Sequence, residues 1–326
     1  MWAKPKLFYA KHFTTLSSTQ DAVGFPASNL VDMREGVVWK GASYENKITI
    51  AFADTNPDTL TDSDSGFLTA GFAIGQTFEV SGSASNDGNY LIAGVTAGTI
   101  TLDAGDALVA ESAGASVSLV IDQFIVPNTP ASAVKVDYFG IAGHNLFTVG
   151  ATVDQQYSTD DFSSDINSFV APFIPTNNKT FVREGDQQSK VYHRLKLSGM
   201  TAAPVMAVVN FGETAILDYT TVKFDPDREQ KSANVNVTVE KYVAGIHVFG
   251  AERLIRIKMN DVDIACHDVL QAWWEASGLN NFFFGWDTNE HPTEVYLMRP
   301  AKSFNNPLTS QGLLRDLFLD LVGRKE

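Results

Sequence analysis

Apolar and polar positions alternate along much of the chain. In "TFEVSGSASNDGNYLIAGVTAGTITLD", Thr77 to Asp103, Phe78 and Val80 alternate with Thr77 and Glu79, and Gly or Asn-Asp-Gly punctuates the pattern. A period of two between turn residues is the mark of strands with one buried face. It predicts strands over Ile48–Phe52, Thr77–Ser81, Asn89–Gly94, Thr99–Leu102 and Val117–Ile121. The connections Ser85–Gly88 and Thr96–Gly98 are short enough for hairpins. Further on, Val134, Val136 and Tyr138 alternate, Gly140–Asn145 turns, and Val149–Tyr157 extends again. Two more strands are predicted at Phe211–Ile216 and Val222–Phe224.

After Asp225-Pro226-Asp227 the alternation is at its cleanest. In "SANVNVTVEKYV", Val235, Val237 and Val239 fall on one side and Asn234, Asn236 and Thr238 on the other. "ERLIRIKM" gives a strand with an Ile255/Ile257/Met259 face. The period then changes to that of a helix, predicted over about 262–277. Val262, Cys266, Val269 and Trp273 recur at i, i+4, i+7 and i+11 and form its packing stripe. Asp261 or Asn260 can cap its start, and Gly278 can end it in the left-handed conformation. "NNFFFGWD" and "TEVYLM" read as strands, while "GLLRDLFLDLVG" fits either a short helix or a last strand.

Composition divides the chain. Lys and Arg are absent from after Lys47 until Lys135, where Gly, Ser, Ala, Thr and Asp dominate. This predicts a small all-β module at 46–122, inserted into a first domain formed by 1–45 and 123–225. A final domain with the one helix follows at 226–326. The 326 residues are ample for such cores, and 22 Phe lean the whole toward strands. The net charge of −14 argues against an electrostatic grip on nucleic acid or anionic lipid. One cysteine, Cys266, excludes an intrachain disulfide. "MWAKPKLFYAKHF" lacks the pattern of a signal peptide, and no apolar run reaches membrane-span length, so folding in a cytoplasm is expected.

Catalytic constellations are sparse. The six histidines are scattered, without helix-face ligand spacing, so no metal site is expected. Cys266 lies on the apolar stripe, as a buried small hydrophobe would. No nucleophile elbow or phosphate-binding loop occurs, and no cofactor is called for. Acidic groups cluster as Asp160, Asp161 and Asp165, and as Asp54, Asp58, Asp62 and Asp64. A glycosidase needs two carboxylates across one cleft, but here the neighbours are Ser and Thr. Asp54-x-Asn56-x-Asp58 opens like a calcium loop, yet Thr59 stands where the turn glycine belongs and Ser65 where the bidentate Glu would be. The chain reads as non-enzymatic. For sugar contact, the candidate rings are Trp39, Tyr44, Tyr157 and Tyr192.

Several stretches resemble virion proteins of tailed bacteriophages. "FPASNLVDMREGVVWKGAS" is similar to the opening of discoidin-like (galactose-binding-like) jelly rolls, and "YFGIAGHNLFTVGATVDQQYSTD" resembles jelly-roll segments of tail-tip and baseplate proteins. The module, from "PDTLTDSDSGFLTAGFAIGQ" onward, resembles a small β-barrel-like module recurrent in such virions. The last hundred residues, with "FFFGWD" and "EVYLMR", resemble the tail-tube-like fold of distal tail and minor tail proteins. The resemblance implies a mainly β protein: a jelly-roll-like β-sandwich with an inserted small β module, then a tail-tube-like β-sandwich with one packed helix. In many distal tail proteins the tube-like domain comes first; in this chain it comes last.

What the resemblance implies about function is a structural ring of a long-tailed phage tail tip, joining the tail tube to the baseplate or hub. Its partners would be copies of itself, six-fold or three-fold, together with tail tube and hub proteins. DNA would only pass through, and an acidic lumen would repel its phosphates. Such a protein is assembled in the host cytoplasm and resides in the virion. The alternative reading is a carbohydrate-binding protein that grips a bacterial surface glycan.

Overall fold

The computed structural model describes residues 4–18, 20–32, 34–218, 225–278, 280–302, 305–309, 312 and 314–324. The protein is mainly β, with 49% of residues in strands, 7% helical and one α-helix, arranged in several sheets. The predicted strand Val222–Phe224 lies outside the described residues, as does Leu313 at the start of the last one.

A ten-stranded antiparallel sheet organises the molecule. From one edge its strands run Phe181–Lys190, Val134–Ala142, Val208–Ile216, Lys6–Tyr9, Phe282–Gly285, Val295–Pro300, Leu314–Arg324, Val243–Val262 and Glu229–Val237, with Leu308–Thr309 attached to Leu314–Arg324. Lys6–Tyr9 is the link. It pairs with Val208–Ile216 on one side and with Phe282–Gly285 on the other, so one sheet runs through residues from both ends of the chain.

Alternation along these strands serves several cores. Phe139, Ile141, Val209 and Phe211 face a five-stranded sheet, whose Val153, Leu195, Leu197, Ile125 and Leu16 complete a sandwich core. Further along the long sheet, Leu7, Ile255, Ile257, Met259, Phe282, Phe284 and Leu319 pack under the helix. The intervening residues Phe8, Tyr138, Val182, Phe283, Val295 and Leu297 form a third core. Val182 lies on an edge strand and Val295 five strands away, so the sheet curls for them to meet. Lys6 reaches across this curl to Glu184 at 2.6 Å. Gly140 permits the close approach: a Cβ there would sit 2.7 Å from the Phe283 ring.

The helix spans Ile264–Ser277, two residues later than its period predicts. Val262 ends the preceding strand, in register with Arg315, and buries its side chain from there. Asp261 stands just before it at φ 57°, in the irregularity of register between Met259 and Val262. The cap is therefore Asp263, whose carboxylate accepts from Cys266 N at 2.8 Å, rather than Asp261 or Asn260. Cys266, Leu270, Trp273 and Ser277 form the buried stripe, with Val269 half-buried beside it. Gly278 ends the helix at φ 53°, donating its N–H to Trp274 O.

Residues Tyr44–Ile121 form a separate seven-stranded sheet around their own core. Its order is Tyr44–Lys47, Val117–Ile121, Thr77–Ser81, Gly88–Val95, Thr99–Leu102, Thr59–Asp62, Ile50–Ala53. The first and last strands of that order are joined by Ile48 and Thr49 alone, which forces the sheet to curl. Rings Phe67, Phe72 and Phe78 meet edge to face inside it, at centroid spacings of 5.7 and 5.8 Å. No helix among the described residues is long and apolar enough to cross a membrane.

Candidate interface: the hairpin arm

Val243–Val262 is a 20-residue strand whose halves have different neighbours. From Glu252 on it pairs with Leu314–Arg324; from Val243 to Arg253 it pairs with Glu229–Val237. The first half therefore leaves the body as a two-stranded ribbon. At about 3.4 Å per residue the seven pairs beyond Glu252 make an arm roughly 24 Å long. The tip closes through Tyr242 O accepting from Thr238 N at 2.8 Å, and Thr238 O accepting from Lys241 N at 2.9 Å, with Lys241 at φ 66°.

The pairing places Val235 opposite Ile246, Ala233 opposite Val248 and Val237 opposite Val243. These residues make one apolar face; Asn234 opposite His247 and Asn236 opposite Gly245 make the other. Val239 leaves the predicted alternation, because the strand ends at Val237 and Val239 stands fully exposed in the turn. The valines and Ile246 are half or more exposed. A two-stranded ribbon is marginal in water without a covering layer. The alternation was legible in the sequence, but nothing in its spacing distinguishes a face buried in the body from one open to a partner. Glu229–Val237 and, at the opposite end of the sheet, Phe181–Lys190 are edge strands with no neighbouring strand on their outer sides among the described residues.

The four rings considered for sugar contact are not brought together. Trp39 is 0% exposed in the sandwich core, its Nε1 donating to Asp21 Oδ1 at 2.8 Å. Tyr44 is buried in the module core and donates to Asp62 Oδ2 at 2.5 Å. Neither presents a face, which corrects that expectation for both. Tyr157 pairs with His193, the neighbour of Tyr192, so Tyr157 and Tyr192 project from opposite faces of their sheet. Both are half-buried, and they share no platform.

The acidic clusters lock turns. Asp160 accepts from Ser158 Oγ, Ser164 N, Ser164 Oγ and Asp165 N at 2.7–3.2 Å. These bonds, the Ser164 hydroxyl foremost, hold its pKa down to about 2, which leaves it no proton to give near neutrality. Asp165 accepts in turn from Thr159 and Asn167. Asp58 accepts from Thr55 N and Leu108 N, and Asp62 from Tyr44, Thr49, Asp64 and Gly66. No three His, Cys, Asp or Glu side chains gather as a metal site among the described residues. The Cys266 thiol is buried, which raises its pKa and opposes thiolate formation. Compared with known proteins, the chain matches no family model, no curated protein and no solved structure.

Proposed function

We propose that this chain is a structural component of the tail tip of a long-tailed phage, assembling with copies of itself into a ring between tail tube and baseplate or hub. The observation that carries this reading is the hairpin arm, a ribbon of Val235, Val237, Ile246 and Val248 exposed along one face and standing clear of any core. An exposed apolar face of this kind marks an interaction surface. The edge strands at the two ends of the long sheet add a second route to self-association, because a further strand can add to a sheet edge. A contact between two different surfaces of identical subunits generates a ring when its rotation closes.

In this reading the sandwich is a jelly roll that projects outward, the module at 46–122 decorates it, and the C-terminal part is the tube-like element lining the channel. The turn-locking use of Asp160, Asp165, Asp58 and Asp62 fits a scaffold without hydrolytic chemistry. The experiment is a mass measurement of the purified chain by light scattering, followed by electron microscopy of the particle. Six-fold or three-fold rings are expected, and they should fall apart in Val235→Lys. A chain that stays monomeric at high concentration, or rings unaffected by a charge on the arm, would overturn the proposal.

A further inference from the structure

A cleft of about 440 Å³ opens between the Phe173–Arg183 segment of the sandwich, the Pro292–Tyr296 loop and strand, and Arg253 at the root of the arm. That volume lies in the range of small-ligand sites. Its charge is opposite to that of the chain. Lys179, Arg183 and Arg253 line it against one carboxylate, Glu294, whereas the whole protein carries −14. Glu294 is already engaged, with Oε2 accepting from Trp286 Nε1 at 2.6 Å and Oε1 3.3 Å from His291 Nδ1.

Both arginines lie over aromatic rings. The Arg183 guanidinium lies 4.3 Å over the Phe173 ring, and that of Arg253 lies 4.0 Å over the Tyr296 ring. A guanidinium over an aromatic face is held by cation–π attraction, and any edge donor left unengaged can meet a planar acceptor. Arg183 has no ion-pair partner among the described residues; the neighbouring Glu184 is bonded to Lys6 instead. Arg253 donates through Nη1 to Pro226 O at 2.5 Å and lies 3.5 Å from the exposed Asp227, and its Nε–H is buried with no acceptor among the described residues. Thr176 and Asn177, on the same rim, supply hydroxyl and amide groups.

We propose that this cleft binds an anionic sugar unit, a hydroxylated ring carrying a carboxylate or phosphate, with the oxyanion on Arg183 and Arg253 and the ring hydroxyls toward Thr176 and Asn177. Charge-assisted bonds to the planar forks supply the specificity, and neutral sugars lack the group that the arginines recognise. The site stands independently of ring assembly, since its walls come from one chain.

The test titrates the full chain with glucuronate, glucose 6-phosphate, glucose and inorganic phosphate, followed by calorimetry or NMR. Binding of either anionic sugar, weakened by salt and absent for glucose, is expected; which one binds tells carboxylate from phosphate. Arg183→Gln, at an exposed position, should weaken it about tenfold or more with an unchanged melting curve. Arg253→Lys keeps the charge but removes the fork, and should weaken binding as well. Equal binding of glucose, inorganic phosphate binding as tightly as the sugar phosphate, or no response to any compound would overturn the proposal. So would an Arg183→Gln chain that binds normally or that changes only its self-association.

Discussion

One strand carries the same alternation into two different fates. In its second half Ile255, Ile257 and Met259 are 0–2% exposed, packed under the helix. In its first half Ile246 and Val248 are 63% and 52% exposed. The side chains and period are alike, and the backbone is continuous. What differs is the covering layer. The root half has Leu314–Arg324 beside it and belongs to the core that Trp273 helps to fill, whereas the arm half has only its hairpin partner. A hydrophobic face is thus a demand for cover, and the chain meets the demand at one end and leaves it open at the other.

The contrast can be broken most forcefully at the cover itself. Trp273 is 0% exposed and meets Phe282 at 4.9 Å, so Trp273→Ala should cost about 3–5 kcal/mol in chemical denaturation. A near-silent result would mean that the root half does not depend on the helix. Next, Ile257→Ala should cost about 2–5 kcal/mol in the same measurement.

Acid tests whether the sandwich is separable from the helix-covered core. His193 is buried beside Phe13, and desolvation lowers its pKa from 6.5 to about 4. Between those values the unfolded chain binds a proton that the native chain refuses, so stability is complete above pH 6.5 and falls as pH drops toward 4. The loss is about 3 kcal/mol at 1.36 kcal/mol per pH unit. His144, also lowered by burial, acts in the same direction. Hydrogen exchange at pH 4.5 should show the sandwich opening before the core under the helix. His193→Gln should flatten the pH slope, and an unchanged slope would rule out this account.

Gly140→Ala should cost about 1–3 kcal/mol, because the curl leaves its Cβ 2.7 Å from Phe283. A stabilised variant would show that the curl is looser than the contacts indicate. The smallest effect on folding belongs to the arm. Ile246→Lys should shift denaturation of the monomer by no more than about 0.5 kcal/mol, while reducing self-association measured by sedimentation. Loss of stability comparable to Ile257→Ala would erase the difference between the two halves.

Legibility followed the same division. Thr77–Ser81, Thr99–Leu102 and Val117–Ile121 lie where their alternation and turn glycines place them, because a half-buried strand writes its period into neighbouring residues. Tyr44–Lys47 and Thr59–Asp62 were missed; each is four residues long, with Tyr44 and Leu60 the apolar signal on either side of polar neighbours. The helix period was clear, but its start was misplaced, since Val262 satisfies the apolar stripe from the end of a strand. The cleft was not visible at all. Arg183, Arg253 and Glu294 are spread over more than a hundred residues, and only the curl of the long sheet brings their segments together.

The sequence alone determined the strand-rich class, the single helix and its Cys266 and Trp273 anchors, and the texture of the module, because each rests on local period and turn chemistry. Tertiary structure decided the rest. It inserted Lys6–Tyr9 between two distant strands, turned Trp39 and Tyr44 inward, and left the arm uncovered. The reason is physical: alternation says which side chains seek burial, but the surface that buries them comes from residues far along the chain, and for the arm it comes from none among the described residues.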